Sequence, residues 1–151
     1  MKLKGVYMKL FYSAPNIAVV CLDKINGKEA SGRFYHYYSK EPLIFSTVGE
    51  LVIKMDNFYD EIHFPQAGNE ARTFSKPKKK EHKELTRVQN TDEMKTHAGD
   101  IATFVVHVQY RQNATWQGKI VWAEENKEIG FRSALEMLKL MDTVIESNDK
   151  K

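Results

Sequence analysis

The sequence predicts an α+β fold: a duplicated β-β-β-(β)-α unit forming an antiparallel sheet, with two helices packed on one face. Two observations point to it. Residues 17–60 slide onto 103–146 at an offset of 86 with no gap, and seven of the 44 positions are identical. They are Val19/Val105, Val20/Val106, Gly32/Gly118, Phe45/Phe131, Glu50/Glu136, Met55/Met141 and Asp56/Asp142. Unrelated segments of average composition would agree at about two or three. The second observation is that both halves carry the same elements in the same order, with no strand directly after either helix, which argues against a doubly wound fold.

The elements follow in chain order. The alternation in Val6-Tyr7-Met8-Lys9-Leu10-Phe11 predicts an extra first strand, Val6 to Tyr12. The first copy then has a strand from Ile17 to Leu22, a turn at Asn26-Gly27, a strand from Gly32 to Tyr38 and a short strand ending in Phe45. The second copy has a strand from Ile101 to Tyr110, a turn at Gln112-Asn113, a strand from Gly118 to Ala123, a turn over Glu124-Glu125-Asn126-Lys127 and a short strand ending in Phe131. Thr47 three residues before Glu50, and Ser133 three before Glu136, form capping boxes. In each, the hydroxyl accepts from the first turn while the glutamate reaches back to the cap's own N–H. The helices that follow carry apolar stripes at spacings of three and four: Val48, Leu51, Val52, Met55, Phe58, Tyr59 and Ile62, then Ala134, Met137, Leu138, Met141, Val144 and Ile145. The chain reads as one domain, 1–151, made of two pseudo-repeats (6–62 and 101–147) joined by a basic polar linker, 64–100.

Composition narrows the classes. A chain of 151 residues with 42% hydrophobic and 28% charged residues buries a core without staples. Its one cysteine, Cys21, excludes an internal disulfide and a cysteine-based zinc site. No apolar run approaches the roughly 18 residues of a membrane helix. Lys2, Lys4 and Lys9 are not followed by the apolar stretch of a signal peptide, because Ser13-Ala14-Pro15-Asn16 interrupts it. A cytoplasmic protein is expected, with no membrane association. The net charge of +3 hides one local feature. The stretch from Lys76 to Lys83 holds five lysines and one glutamate, while the rest of the chain holds 18 basic and 19 acidic residues. Such a run is either a solvated loop or an electrostatic handle for phosphates.

The strands are aromatic and basic. Period two places Arg33, Tyr35 and Tyr37 on one side of their strand, and Phe34, His36 and Tyr38 on the other. In the second copy Phe104, Val106, Val108 and Tyr110 should face the helices, with Val105, His107, Gln109 and Arg111 facing away. Rings beside cations suit single-stranded nucleic acid, whose bases stack on rings and whose phosphates pair with cations. In that reading Tyr35, Tyr37 and Trp116 stack on bases. Arg33, Arg111 and Lys119 contact phosphates, and Lys78, Lys79 and Lys80 add a nonspecific field. Trp116, beside a turn, is expected to be more exposed than Trp122, mid-strand. The same rings equally suit a core or a protein interface.

In element order and duplication, residues 6–62 and 101–147 resemble the Whirly and PUR families and the related single-strand-binding transcriptional coactivators. That resemblance implies binding of single-stranded DNA or RNA on the strands. The stretch Tyr110 to Gly118, with Phe131-Arg132-Ser133 and Glu136, is also similar to small uncharacterised bacterial proteins, which implies no activity.

Enzyme signatures are missing: there is no P-loop, dinucleotide fingerprint, His-Glu-x-x-His or nucleophile elbow. Cys21 lies in an apolar run and reads as a buried thiol. Asp60 and His63 make at most half a metal site. His36 and His107 lie on strands, where a packed side chain is the default reading and a meeting across the sheet the alternative. The expectation is a non-enzymatic cytoplasmic binding or regulatory protein without a cofactor. Its partner is single-stranded nucleic acid or, alternatively, a protein. As an adaptor or small homodimer it would use the aromatic face as its interface.

Overall fold

The computed structural model describes residues 14–67, 74, 85–111 and 115–149. The expected strand from Val6 to Tyr12, the lysine run with Lys78, Lys79 and Lys80, and the turn Gln112-Asn113 lie outside the described residues. The element order is β1 (Ala18–Asn26), β2 (Glu29–Tyr35), β3 (Leu43–Phe45), α1 (Val48–Ile62), α2 (Thr91–Thr96), β4 (Ala102–Tyr110), β5 (Gln117–Trp122), β6 (Lys127–Phe131) and α3 (Ala134–Asp149). The strands form one six-stranded antiparallel sheet in the order β3-β2-β1-β4-β5-β6.

Each copy is a three-stranded meander followed by a helix, and the copies join through their first strands. Val19 lies opposite Val105, with Ala18–Val106 and Val20–Phe104 on either side. Residues related by the offset of 86 therefore face each other, and a local two-fold axis passes through the Val19–Val105 pair. The same offset carries Leu22–Gly32 to Val108–Gly118, and Gly32–Phe45 to Gly118–Phe131. It carries a β-bulge as well: the register slips at Asp23 in the first copy and at Gln109 in the second. Both recurring glycines have one cause. A Cβ on Gly32 would overlap the Cys21 carbonyl oxygen, and one on Gly118 the His107 carbonyl oxygen.

α1 and α3 lie on one face. Leu51, Met55, Phe58 and Tyr59 of α1, with Met137, Met141, Val144 and Ile145 of α3, bury against Val20, Phe34, Phe104, Val106 and Ile120 of the sheet. Thr47 Oγ1 accepts from Glu50 N at 3.1 Å, and Ser133 Oγ from Glu136 N at 3.0 Å. The glutamates reach back one residue further than a standard capping box, to Ser46 N and Arg132 N. Both copies share this variant.

Three features differ from the sequence-based expectation. β1 runs on to Asn26, and β2 starts at Glu29 after a two-residue turn in which Gly27 takes φ +64°. β2 ends at Tyr35 because the Tyr37 carbonyl accepts from Val88 N at 2.7 Å and Gln89 N at 3.2 Å, which draws the chain out of the ladder. Within the expected linker, residues 85–100 form a built element. Asn90 and Glu93 make a full capping box for α2, and Met94 is buried with Ile17, Val19, Cys21, Tyr35, Tyr37, Val105 and Val121 on the sheet face opposite the long helices.

Gly118→Ala should lower stability by about 2–4 kcal/mol, because the new methyl meets backbone that cannot yield. Gly49→Ala, with its nearest neighbour at 3.8 Å, should stay within about 0.5 kcal/mol of wild type or stabilise. Urea denaturation of both variants checks this; equal effects would contradict the close-approach account.

Candidate functional site

The polar residues of the second face form a connected network at the copy-one end of the sheet. The bulge at Asp23 turns its carboxylate toward Arg33, whose Nε donates to Asp23 Oδ2 at 3.0 Å. The same guanidinium donates to the Tyr35 hydroxyl at 2.5 Å and to the Ala98 carbonyl at 2.9 Å. Asp23 Oδ1 accepts from Asp100 N at 3.1 Å. The Tyr35 ring stacks on His97, with centroids 3.5 Å apart and planes within 4°. His97 Nε2 meets Gln89 Oε1 at 2.7 Å, and Gln89 Nε2 donates to the His36 and Ser39 carbonyls. The Arg33–Ala98, Asp23–Asp100, Tyr35–His97 and Gln89–His36 contacts fasten the segment 85–100 to the sheet side, so a charge-assisted lock adds to the burial of Met94.

The described residues expected to bind nucleic acid do not share one surface. Arg33 and Tyr35 belong to the lock. Tyr37 is buried beneath Arg87, whose guanidinium lies 4.4 Å from the ring centroid, and its hydroxyl is 3.3 Å from Thr91 Oγ1. Trp116 packs edge-on against Tyr59 on the helix side, with centroids 5.5 Å apart. Trp116 is 6% exposed, whereas Trp122 is half-buried under Lys127. The expected order of their exposure is therefore reversed, because Tyr59 of α1 covers Trp116.

Arg111 also differs from its expected outward position. The bulge at Gln109 inverts the alternation, so Tyr110 is exposed and Arg111 turns inward. Its Nε donates to the Pro65 carbonyl at 2.7 Å, and its NH1 to Asp56 at 3.0 Å and Asp60 at 2.9 Å. It ties the end of α1 to β4 and is committed to carboxylates. Lys119 keeps 43% of its side chain exposed, 3.9 Å from Glu128.

The remaining titratable groups are packed. Cys21 is fully buried, and burial pushes its thiol up to about 12, which leaves it without thiolate character at neutral pH. His36 and His107 lie on opposite faces of the sheet and do not meet. His36 stacks on Phe58 at 4.1 Å on the helix side, while His107 is opposite Lys119. Asp60 pairs with Arg111, and His63 caps α1 in the left-handed conformation. Among the described residues, no three His, Cys, Asp or Glu side chains converge on a metal position. No described helix is long and apolar enough to cross a membrane. A depression of about 350 Å³ between β3 and α1 is lined by Leu43, Lys54, Asn57, Phe58 and Glu61.

The two sheet edges differ. β3 has three residues, and Lys54 Nζ covers it by donating to the Ile44 carbonyl at 2.5 Å while pairing with Glu50 at 2.8 Å. The equivalent of Lys54 in the second copy is Leu140, and the equivalent of Ile44 is Gly130. β6 is longer, at five residues, and Lys127, Glu128, Ile129 and Gly130 are all exposed. Ile129 is 51% exposed, on the same sheet face as the half-buried Leu140. A lysine cap is a common guard on an edge strand, and the second copy has replaced it with leucine. Sequence reasoning missed this contrast. The signal was legible in the repeat alignment as Lys54 against Leu140.

The chain matches no known protein-family model, no curated protein and no solved structure.

Burial against Phe58 pushes the His36 imidazole down to about 4, from an ordinary value of 6.5. In the window between these values the unfolded chain binds a proton that the folded chain refuses. Stability is therefore full above about pH 6.5 and falls by about 3 kcal/mol as pH drops through 4. The difference in unfolding free energy between wild type and His36→Phe should shrink in that direction between neutral pH and about pH 4.5. A constant difference across the window would show that His36 is not held neutral.

Proposed function

We propose that this chain is a non-catalytic cytoplasmic binding protein that works by protein–protein contact, with the β6 edge accepting an extended strand of its partner. The observation that carries the reading is the contrast between the two sheet edges among the described residues. β6 presents four consecutive exposed residues with Ile129 at their centre, while the pseudo-equivalent edge at β3 is short and covered by Lys54. An added strand would satisfy the outward peptide groups of β6, and its side chains would cover Ile129 and Leu140.

The packing of the rings favours a protein partner over single-stranded nucleic acid. Tyr35, Tyr37 and Trp116 are all internal, so base stacking would require them to leave packed positions. Arg33 and Arg111 are already bound to carboxylates.

A photo-crosslinking residue placed at Ile129 in the full chain should yield protein adducts in cells. The same residue at Ile53, which is 63% exposed on the helix layer, should yield few. Equal yields at both positions, or adducts with nucleic acid at Ile129, would contradict the proposal.

A further inference from the structure

We infer that the strand accepted by β6 is β6 of a second copy, paired antiparallel about Ile129, so that two six-stranded sheets become one of twelve strands. This rests on the edge reading above and names its partner. Three observations converge on it.

The first is which peptide groups face outward. The Ile44 carbonyl of β3 is reached by Lys54 from outside the sheet, so the peptide groups of Ile44 point away from β2. Gly130 occupies the equivalent position in β6, and in an antiparallel ladder the groups two residues away share its direction. Glu128 and Gly130 therefore offer their N–H and C=O groups outward. Pairing Glu128 with the second copy's Gly130, and the reverse, joins them in two hydrogen-bonded pairs, with Ile129 facing Ile129 between them at the closely spaced position.

The second is charge. Lys119 is opposite Gly130 within the sheet. In this register Glu128 of the second copy comes next in the same row, beyond Gly130. With no side chain at Gly130, Lys119, which already lies 3.9 Å from Glu128 of its own chain, also faces Glu128 of the second copy across the gap, so the charges alternate along the seam, twice by symmetry. Centring the pair on Glu128 instead would set two carboxylates opposite each other, so charge disfavours that register, and centring on Gly130 would give up the Ile129–Ile129 contact.

The third is the apolar surface. Lys127, Ile129 and Phe131 lie on the helix side, where Leu140 replaces the lysine that caps the other edge. A two-fold axis at Ile129 brings both copies of Ile129 together on that side and places the Leu140-bearing α3 helices on either side of the seam. The contact is isologous and closed, so it stops at the dimer, because the outer β3 edges stay capped by Lys54.

Sedimentation of the purified full chain tests this. Wild type should be a dimer at concentrations up to about 100 µM, with dissociation on dilution. Ile129→Lys, which sets two lysines face to face, should be monomeric with an unchanged circular dichroism spectrum. Glu128→Lys should weaken the dimer by about tenfold or more, and the swap Lys119→Glu/Glu128→Lys should recover it. A monomeric wild type would overturn the inference. So would a dimer indifferent to Ile129→Lys, because the interface would then lie elsewhere. If wild type is monomeric while Ile129 still crosslinks to a different protein in cells, the edge reading survives and only the self-pairing fails.

Discussion

The pairing of β1 with β4 is the constraint from which the rest of this structure follows. Both strands are buried on both faces: Ile17 to Leu22 and Ala102 to Val106 are all between 0 and 3% exposed. A strand covered on both sides reads as a continuous apolar run instead of an alternating one, and Ala18-Val19-Val20-Cys21-Leu22 is such a run. One face is closed by α1 and α3. The other takes Met94 and the segment fastened by Arg33, Asp23 and His97. Joining the copies at their first strands leaves β3 and β6 as the two edges of the sheet.

Duplication explains why the details recur. A bulge one residue beyond Leu22 and Val108, and a glycine opposite each, form one device used twice to let adjacent strands approach closely. The device has been turned to different ends. In the first copy the bulged residue is Asp23, which anchors Arg33 and the 85–100 segment. In the second copy the inversion after Gln109 drives Arg111 inward to hold Asp56 and Asp60, where the first copy has Ile25 packed on the core. Three of the differences between the copies fall at positions that lock or expose a surface: Asp23 against Gln109, Ile25 against Arg111, and Lys54 against Leu140.

The parts legible in the sequence were those set by local chemistry and period. The helix stripes, the paired caps, the short strands ending in Phe45 and Phe131 and the alternation from Arg33 to Tyr38 all appear in the structure, because spacing alone decides them. What was not legible depended on contacts distant in sequence. A bulge is invisible to a period-two count, so Arg111 was placed on the wrong face. Trp116 beside a turn looked exposed, yet α1 covers it through Tyr59. The segment 85–100 looked like linker because it has few apolar residues. Its order comes from a capping box, one methionine and hydrogen bonds from Arg33 to the Ala98 carbonyl and from Gln89 to the His36 and Ser39 carbonyls, of which only the Asn90-x-x-Glu93 spacing is local in sequence.

Pairing at Val19–Val105 makes the two copies one cooperative unit, with no independent half. Native-state hydrogen exchange tests this most directly. The slowest amides should be those of β1 and β4 around Val19 and Val105, and they should exchange with one common free energy, equal to that of global unfolding. Exchange of β4, β5 and β6 at a lower free energy than β1 and β2 would contradict it, since the halves would then open separately and the central pairing would not be what holds the fold.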